Sequence, residues 1–306
     1  MKRREFLKTS STAAVAAGSS FYFGNLSNLF PKNFISNASF DLVAVKGGEP
    51  DLMFDKAIES LGGIKNFVKK GQTVVVKPNI GWDTSAERAA NTNPKLIKRI
   101  IEHCLHAGAK DVFVFDHTCD NWIKCYANSG IEKTAKDAGA KVVSGASEGY
   151  YQEVQIKYGR NLKNAKVHEL ILSSDVFINV PILKSHGSGR ITAGMKNLMG
   201  IVWDRGYWHQ NDLHQSIADF STFKKPDLTI VDAYNVMMRN GPRGSSVNDL
   251  ALMKSLIISK DIVAADAAAA KLFGINPDEV YYIKYADEMK IGTKDLSKLN
   301  INRIKM

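Results

Sequence analysis

Cysteine is scarce in this chain. The 306 residues hold 3 cysteines, Cys104, Cys119 and Cys125, with no Cys-x-x-Cys pair. That rules out a disulfide scaffold and offers no ferredoxin-type cluster motif. Beyond the N-terminal region no stretch is long and apolar enough to span a bilayer. No dense basic run carries interleaved aromatics, so the residues do not point to nucleic acid. There is no Gly-x-Ser-x-Gly elbow, which argues against an ordinary serine hydrolase. No glycine-rich segment has the spacing of a P-loop or a dinucleotide fingerprint. Internal repeats and Pro- or Ser-rich linkers are also missing, so one domain is the simplest organisation.

What remains is an ordinary globular composition, 44% hydrophobic and 24% charged. The formal net charge is +10, of which the first 38 residues hold +4, leaving +6 for the rest. An anionic small ligand accounts for some of that surplus. "MKRREFLK" places Arg3 and Arg4 ahead of a Phe-Leu pair, and the weakly apolar "TAAVAAGSSFYFG" follows. This resembles a twin-arginine export signal, cleaved near Ala38 or kept as an anchor. On that reading residues 1–38 are the signal and residues 39–306 one domain. The protein is then periplasmic or membrane-anchored, with the twin-arginine translocase as its partner during export. That route carries folded cargo, often already loaded with a cofactor.

From Phe40 onward apolar runs alternate with helical patterns. "DLVAV" (41–45), "TVVVKPN" (73–79), "DVFVFD" (111–116), "DVFINVP" (175–181), "LTIVD" (228–232) and "SLIIS" (255–259) read as strands. Residues 50–67 look helical, interrupted by Gly62 and Gly63. Residues 94–108 start with Pro and end with Gly around a stripe of Leu96, Ile97, Ile100, Ile101, Cys104 and Leu105. Residues 121–129 and 212–223 read as helices, and 261–274 as an Ala-rich helix capped by Asp261 and closed by Gly274. Asn276 and Pro277 open a last one. Continuous apolar strands separated by helices predict an α/β fold, a mostly parallel sheet covered by helices on both faces. A small β-rich insertion fits around 153–159 and 166–172.

Ligands of open α/β sheets bind beyond the carboxyl ends of the strands. Here those ends carry Lys77-Pro78-Asn79, then Asp116-His117-Thr118-Cys119-Asp120, then Lys184-Ser185-His186, and Asp232 followed by Arg239–Gly244. All should fall on one edge. Gly187–Gly194, flanked by Lys184, Arg190 and Lys196, suits a phosphate or carboxylate, or else is a solvated surface loop.

"VVVKPNI" (74–80), "NVPILKSH" (179–186), "GMKNLMG" (194–200), "NGPRG" (240–244) and "DIVAADAAAA" (261–270) together resemble the successive signatures of a bacterial and archaeal family named only as domain of unknown function 362. The resemblance implies an uncharacterised α/β protein. Many members carry a ferredoxin-like module, which this chain lacks.

Two clusters carry metal-capable groups. Asp116, His117, Cys119, Asp120 and Cys125 offer thiolate, imidazole and carboxylate suited to zinc or iron. Cys119 and Cys125 are equally a disulfide or two unlinked thiols. "WDRGYWHQNDLHQSIAD" (203–219) adds Asp204, Arg205, His209, Asp212, His214 and Asp219, with Trp203, Tyr207 and Trp208 expected to wall a pocket. The resulting expectation is an exported enzyme, metal- or cofactor-dependent and oxidoreductase-like, acting on an anionic small molecule with a redox partner. Lys77, Asn79, Arg190, Lys196 and Asn197 would hold the anion. Lys184, His186 and Asp116 would move protons, and His117, Cys119 and His209 would bind a metal ion. The alternative is a non-catalytic accessory protein that binds an anion or metal.

Overall fold

The runs Val74–Val76 and Val176–Val180 have no polar alternation until Asn179, and they lie side by side at the centre of the sheet. The structure is a computed structural model and describes residues 40–306; the export-signal reading of residues 1–38 lies outside the described residues. The chain begins with β1 (Leu42–Lys46), α1 (Pro50–Ser60), β2 (Thr73–Pro78), α2 (Pro94–His106) and β3 (Asp111–Val114). Next come α3 (Trp122–Asn128), α4 (Ile131–Asp137), β4 (Lys141–Val142), β5 (Tyr151–Gln155), β6 (Asn164–His168) and α5 (Glu169–Ser173). Then follow β7 (Val176–Val180), β8 (Ile182–His186), β9 (Arg190–Thr192), α6 (Gly194–Asn197), α7 (Arg205–Gln210) and α8 (Leu213–Phe220). The chain closes with β10 (Leu228–Met237), β11 (Leu250–Ser259), α9 (Ile262–Phe273), α10 (Tyr281–Glu288) and β12 (Ile301–Lys305).

The main sheet runs β12-β1-β11-β10-β7-β2-β3-β4, with β8 beside β10 and β9 beside β8. Its core is parallel, from β10 through β7, β2 and β3 to β4. β11 runs antiparallel to both β10 and β1. The sheet is therefore mixed and mostly parallel, as the apolar runs predict. Val74, Val76, Val112, Val114 and Ile178 share one core with Met53, Phe54, Leu96, Ile97 and Ile100 of α1 and α2. Helix α9 packs on β10 and β11. Strand side chains alternate between faces. Lys77 and Asn179, register partners across β2 and β7, are therefore out of phase with that core.

The caps follow the local sequence. Asn93 accepts from the amide of Lys95 at 3.0 Å to start α2. Asp261 accepts from Val263 and Ala264 at 2.8 and 3.1 Å to start α9, and Gly274 ends it with φ +92°. The helix expected over 50–67 stops at Ser60, because Gly62 and Gly63 take φ +81° and +86°. The β-rich insertion is real, an antiparallel pair of β5 and β6. Each strand starts two residues earlier than its sequence pattern indicates, and Glu169–Ser173 is helical.

One expectation needs correcting. Ile182–His186 and Arg190–Thr192 are strands, and Gly187–Gly189 is the turn between them. Pro181 has no N–H, so pairing breaks there. β10 pairs with β7 through Leu228 and Thr229, then with β8 from Asp232 onward. Pro181 thus lets one continuous segment shift its course along β10. That shift brings Lys184 to the sheet's carboxyl edge.

Candidate functional site

The strand ends converge as expected. Lys77, Asn79, Asp116, His117, Cys119, Lys184, His186, Lys196, Asn197 and His209 all line one cavity of about 100 Å³. Gly81, Trp82, Thr192, Met199, Gly200, Arg205 and Pro242 complete it. Lys77, Asp116, Lys184, Lys196 and Asn197 are buried.

Lys77 is saturated. Its Nζ lies 2.9 Å from Asp116 Oδ1 and donates to the Pro78 carbonyl at 2.8 Å and to Asn197 Oδ1 at 2.9 Å. Burial pulls its pKa below the ordinary lysine value, and Asp116 opposes the shift. Asp116 Oδ2 accepts from the amide of Ile80 at 2.6 Å. The hydroxyl of Tyr126 accepts from the Asp116 amide at 2.7 Å, which anchors the backbone. Gly200 closes over this pair: a β-carbon there would stand 1.8 Å from Asp116 Oδ1.

A chain of amides runs through the floor. A carbonyl only accepts, so Asn179 turns its Nδ2 toward the Gly194 carbonyl, at 2.9 Å. Asn179 Oδ1 then accepts from Asn197 Nδ2 at 2.8 Å. Asn197 Oδ1 accepts from Asn79 Nδ2 at 2.9 Å, and Asn79 Oδ1 accepts from Lys184 Nζ at 2.9 Å. Each amide's orientation is settled by its neighbour. The first member is held by α6, whose N-terminal amide of Met195 donates to buried Asp266 at 2.9 Å. Asp266 therefore serves the loop, as a buried Asp among alanines suggests.

Lys184 Nζ also donates to the Ala90 carbonyl. Burial pulls its pKa down to about 7. Lys196 Nζ meets Met199 Sδ at 3.3 Å, and its pKa is pulled down to about 8 by burial. Among the described residues it has no oxygen acceptor. Burial, then the charges of Lys196 and Lys184, drive the pKa of His186 down to about 2. Its ring is therefore neutral, with Nδ1 at 3.2 Å from Ser188 Oγ.

Other expected residues play different parts. Arg190 takes φ +64° and pairs with Glu279 at 2.8 Å, away from the cavity lining. Trp203 stacks on His117 at 4.9 Å, Trp208 is buried and Tyr207 is exposed, so Trp82 supplies the aromatic wall instead. His214 lies against Tyr281 and Tyr282, outside the lining. Asp219 accepts from the amides of Asn161 and Leu162 at 2.6 and 2.7 Å and holds the β5–β6 connection. Asp212 caps α8. Asp232 accepts from the amides of Asn93 and Tyr234 at 2.8 and 3.0 Å. Asp120 accepts from the amide of Asp83 at 3.1 Å and pairs with Arg243 at 3.4 Å. Cys119 and Cys125 are both free thiols; Cys125 is buried, with its pKa pushed up to about 11 by burial.

The metal expectation does not fit these residues. No three His, Cys, Asp or Glu side chains among the described residues group as a ligand set. His117 donates from Nδ1 to the Val202 carbonyl at 2.9 Å. The ammonium groups in the same cavity oppose a cation. Sequence reasoning did not single out Asn179, Gly81, Trp82 or Gly200 as parts of the site. Asn179 carried a signal: it is the one amide within a buried apolar strand.

Among the described residues no helix is long and apolar enough to cross a membrane. The chain is similar to a thylakoid-associated protein of Synechocystis, 26% identical over 229 residues that cover 72% of this chain and 68% of that one. In fold it is similar to the lactate racemase apoprotein of Thermoanaerobacterium thermosaccharolyticum, with TM-score 0.50 and 10% identity. That match covers 81% of this chain but only 60% of the racemase, less than two thirds of its length. The α/β fold is thus shared, and residues 74–271 match the pattern described as Domain of unknown function (DUF362), so the chain belongs to that family.

Proposed function

We propose that this protein is an enzyme acting on a small anionic molecule bound among Lys196, Lys184 and His186. The observation that carries the reading is Lys196, a buried ammonium whose partner is a thioether sulfur. Burying a charge without a compensating partner is costly. An anion entering the cavity supplies the missing acceptors through charge-assisted hydrogen bonds. The cavity of about 100 Å³ has room for a small anion.

Catalysis is favoured over passive binding by Lys184. A storage site for an anion is best served by fully charged lysines. Lys184, with its pKa pulled down to about 7, exchanges a proton readily near neutrality. His186, neutral throughout the physiological range, serves as a hydrogen-bonding wall rather than as an imidazolium acid. Asp116 is committed to Lys77 and the Ile80 amide and acts as a positioning residue. The twin-arginine-like "MKRREFLK" supports placing this activity outside the cytoplasm, in a soluble or anchored form.

The test is calorimetric titration with oxalate and sulfate. Lys196→Met should weaken the binding of at least one of them about tenfold or more. Unchanged affinity in Lys196→Met, or no binding by the native protein, overturns the reading.

A further inference from the structure

Three lysines share this cavity, and they differ in the number of acceptors each one meets. An ammonium carries three N–H donors; a neutral amine carries two and a lone pair. Lys77 donates to the Pro78 carbonyl and to Asn197 Oδ1 and is ion-paired with Asp116 Oδ1. It is a satisfied ammonium, and its charge belongs to the fold. Lys196 has a thioether alone, which leaves donors for an incoming anion. Lys184 has two acceptors, Asn79 Oδ1 and the Ala90 carbonyl. Two acceptors satisfy a neutral amine completely and leave its lone pair unclaimed at the cavity wall.

The amide chain makes that arrangement stable. Asn79 presents its oxygen to Lys184 because its nitrogen is held by Asn197, which is oriented in turn by Asn179 and the Gly194 carbonyl. No rotation of a single amide reverses the sequence without leaving two acceptors face to face. Lys196 lies on the same cavity as an electrostatic neighbour of Lys184. A nearby cation and burial of the amine are conditions under which a lysine becomes a nucleophile.

We infer that the substrate class is a small carboxylate bearing an adjacent carbonyl, held through its carboxylate by Lys196 and joined to Lys184 as a Schiff base. The inference rests on the small-anion reading above. In the step, the lone pair of Lys184 Nζ forms a C–N bond to the carbonyl carbon while the C=O π pair moves onto oxygen. The two amine hydrogens leave with that oxygen as water, and the imine remains. Nothing is oxidised or reduced. A proton from the Lys196 ammonium or from solvent then converts the imine to the iminium, which draws electrons from the neighbouring carbon. Binding energy at the carboxylate holds the carbonyl close to the amine, and proximity of this kind supplies much of the rate.

The experiment uses the full chain with pyruvate as the probe and oxalate, which has carboxylates but no ketone, as the comparator. Each is added with sodium borohydride, the protein is digested, and the peptides are mapped by mass. Thermal unfolding with each ligand is recorded in parallel. The expected result is a stoichiometric adduct on Lys184, equal to pyruvate less one water plus two hydrogens, absent with oxalate. Lys196→Met should reduce the labelling about tenfold or more. Because the label is located on the native chain, the outcome does not depend on whether a Lys184 variant folds. An adduct spread over exposed lysines, or centred on Lys196, overturns the proposal. If both ligands raise the unfolding temperature in a Lys196-dependent way but no adduct forms, the Schiff base fails and the anion site stands. If neither ligand stabilises the protein and no adduct forms, both fail.

Discussion

Asn179 donates to the carbonyl of Gly194 at 2.9 Å, and this bond orients every amide between α6 and Lys184. Removing the donor leaves the Gly194 carbonyl without this bond and the Asn197 Nδ2 group with only its longer contacts, 3.4 Å each, to the Lys77 and Pro78 carbonyls. Each such loss costs about 1–3 kcal/mol. Asn179→Ala should therefore lower the unfolding free energy by about 2–5 kcal/mol, with the cavity left at the site adding to the loss. Urea denaturation measures it. A loss below about 0.5 kcal/mol, the range of neutral surface changes, would show that the amide chain reorients freely.

Gly200 is the second structural requirement. A methyl group there would meet Asp116 Oδ1 at 1.8 Å and Lys77 Nζ at 2.6 Å. Gly200→Ala and Lys77→Met should both be severe, because each separates a buried ion pair, at about 3–5 kcal/mol. Lys196→Met should behave in the opposite way. It removes an ammonium that has no oxygen partner and replaces it with an apolar chain beside Met199. Its stability should equal or exceed that of the native protein while anion affinity falls. Thermal unfolding of the three variants separates these roles, and equal destabilisation by all three would contradict them.

The pH dependence follows from the lysines. Burial holds Lys184 at about 7 and Lys196 at about 8 in the folded state, against 10.5 when exposed. Below pH 7 both states carry the protons, and neither group changes stability as pH varies. From about 7 to 10.5 the unfolded chain binds more protons than the folded one, so stability rises with pH. Each lysine contributes up to about 1.4 kcal/mol per pH unit inside its window. Lys184→Met should flatten this rise, as measured by urea unfolding at neutral and alkaline pH. Anion affinity should move the other way and fall above about pH 8, where Lys196 loses its charge. A ligand affinity that stays level through that range would separate the binding from Lys196.

Export is tested apart from the fold. Residues 1–38 fused to a folded fluorescent reporter should carry it across the membrane of a bacterial host with an intact twin-arginine translocase. Replacing Arg3 and Arg4 by lysine should stop it. Reporter retained in the cytoplasm with the native sequence would sink the signal reading.

Much of the fold was legible in the order of residues because strands buried on both faces read as apolar runs. The caps at Asn93 and Asp261 and the stop at Gly274 were legible as well, since each is satisfied within a turn of its own helix. The convergence of Lys77, Asp116 and Lys184 on one edge also followed, because parallel strands deliver their carboxyl ends together. Local pattern did not reveal the pairing partner of a strand. β8, β12 and the antiparallel course of β11 went unread for that reason, and β9 was taken for part of a loop.

The sequence alone determined which residue types reach the site: three lysines, two of the asparagines and the histidines sit in motifs at strand ends or in the segments that follow them. Only the tertiary structure decided what each does. Lys77, Lys184 and Lys196 are the same side chain, and what distinguishes them is the number of oxygen atoms that distant segments bring to each Nζ. Arg190 left the site for the same reason, because Glu279, 89 positions away in the chain, lies within reach. Charge and composition are properties of a segment. Desolvation and hydrogen-bond count are properties of the packed whole.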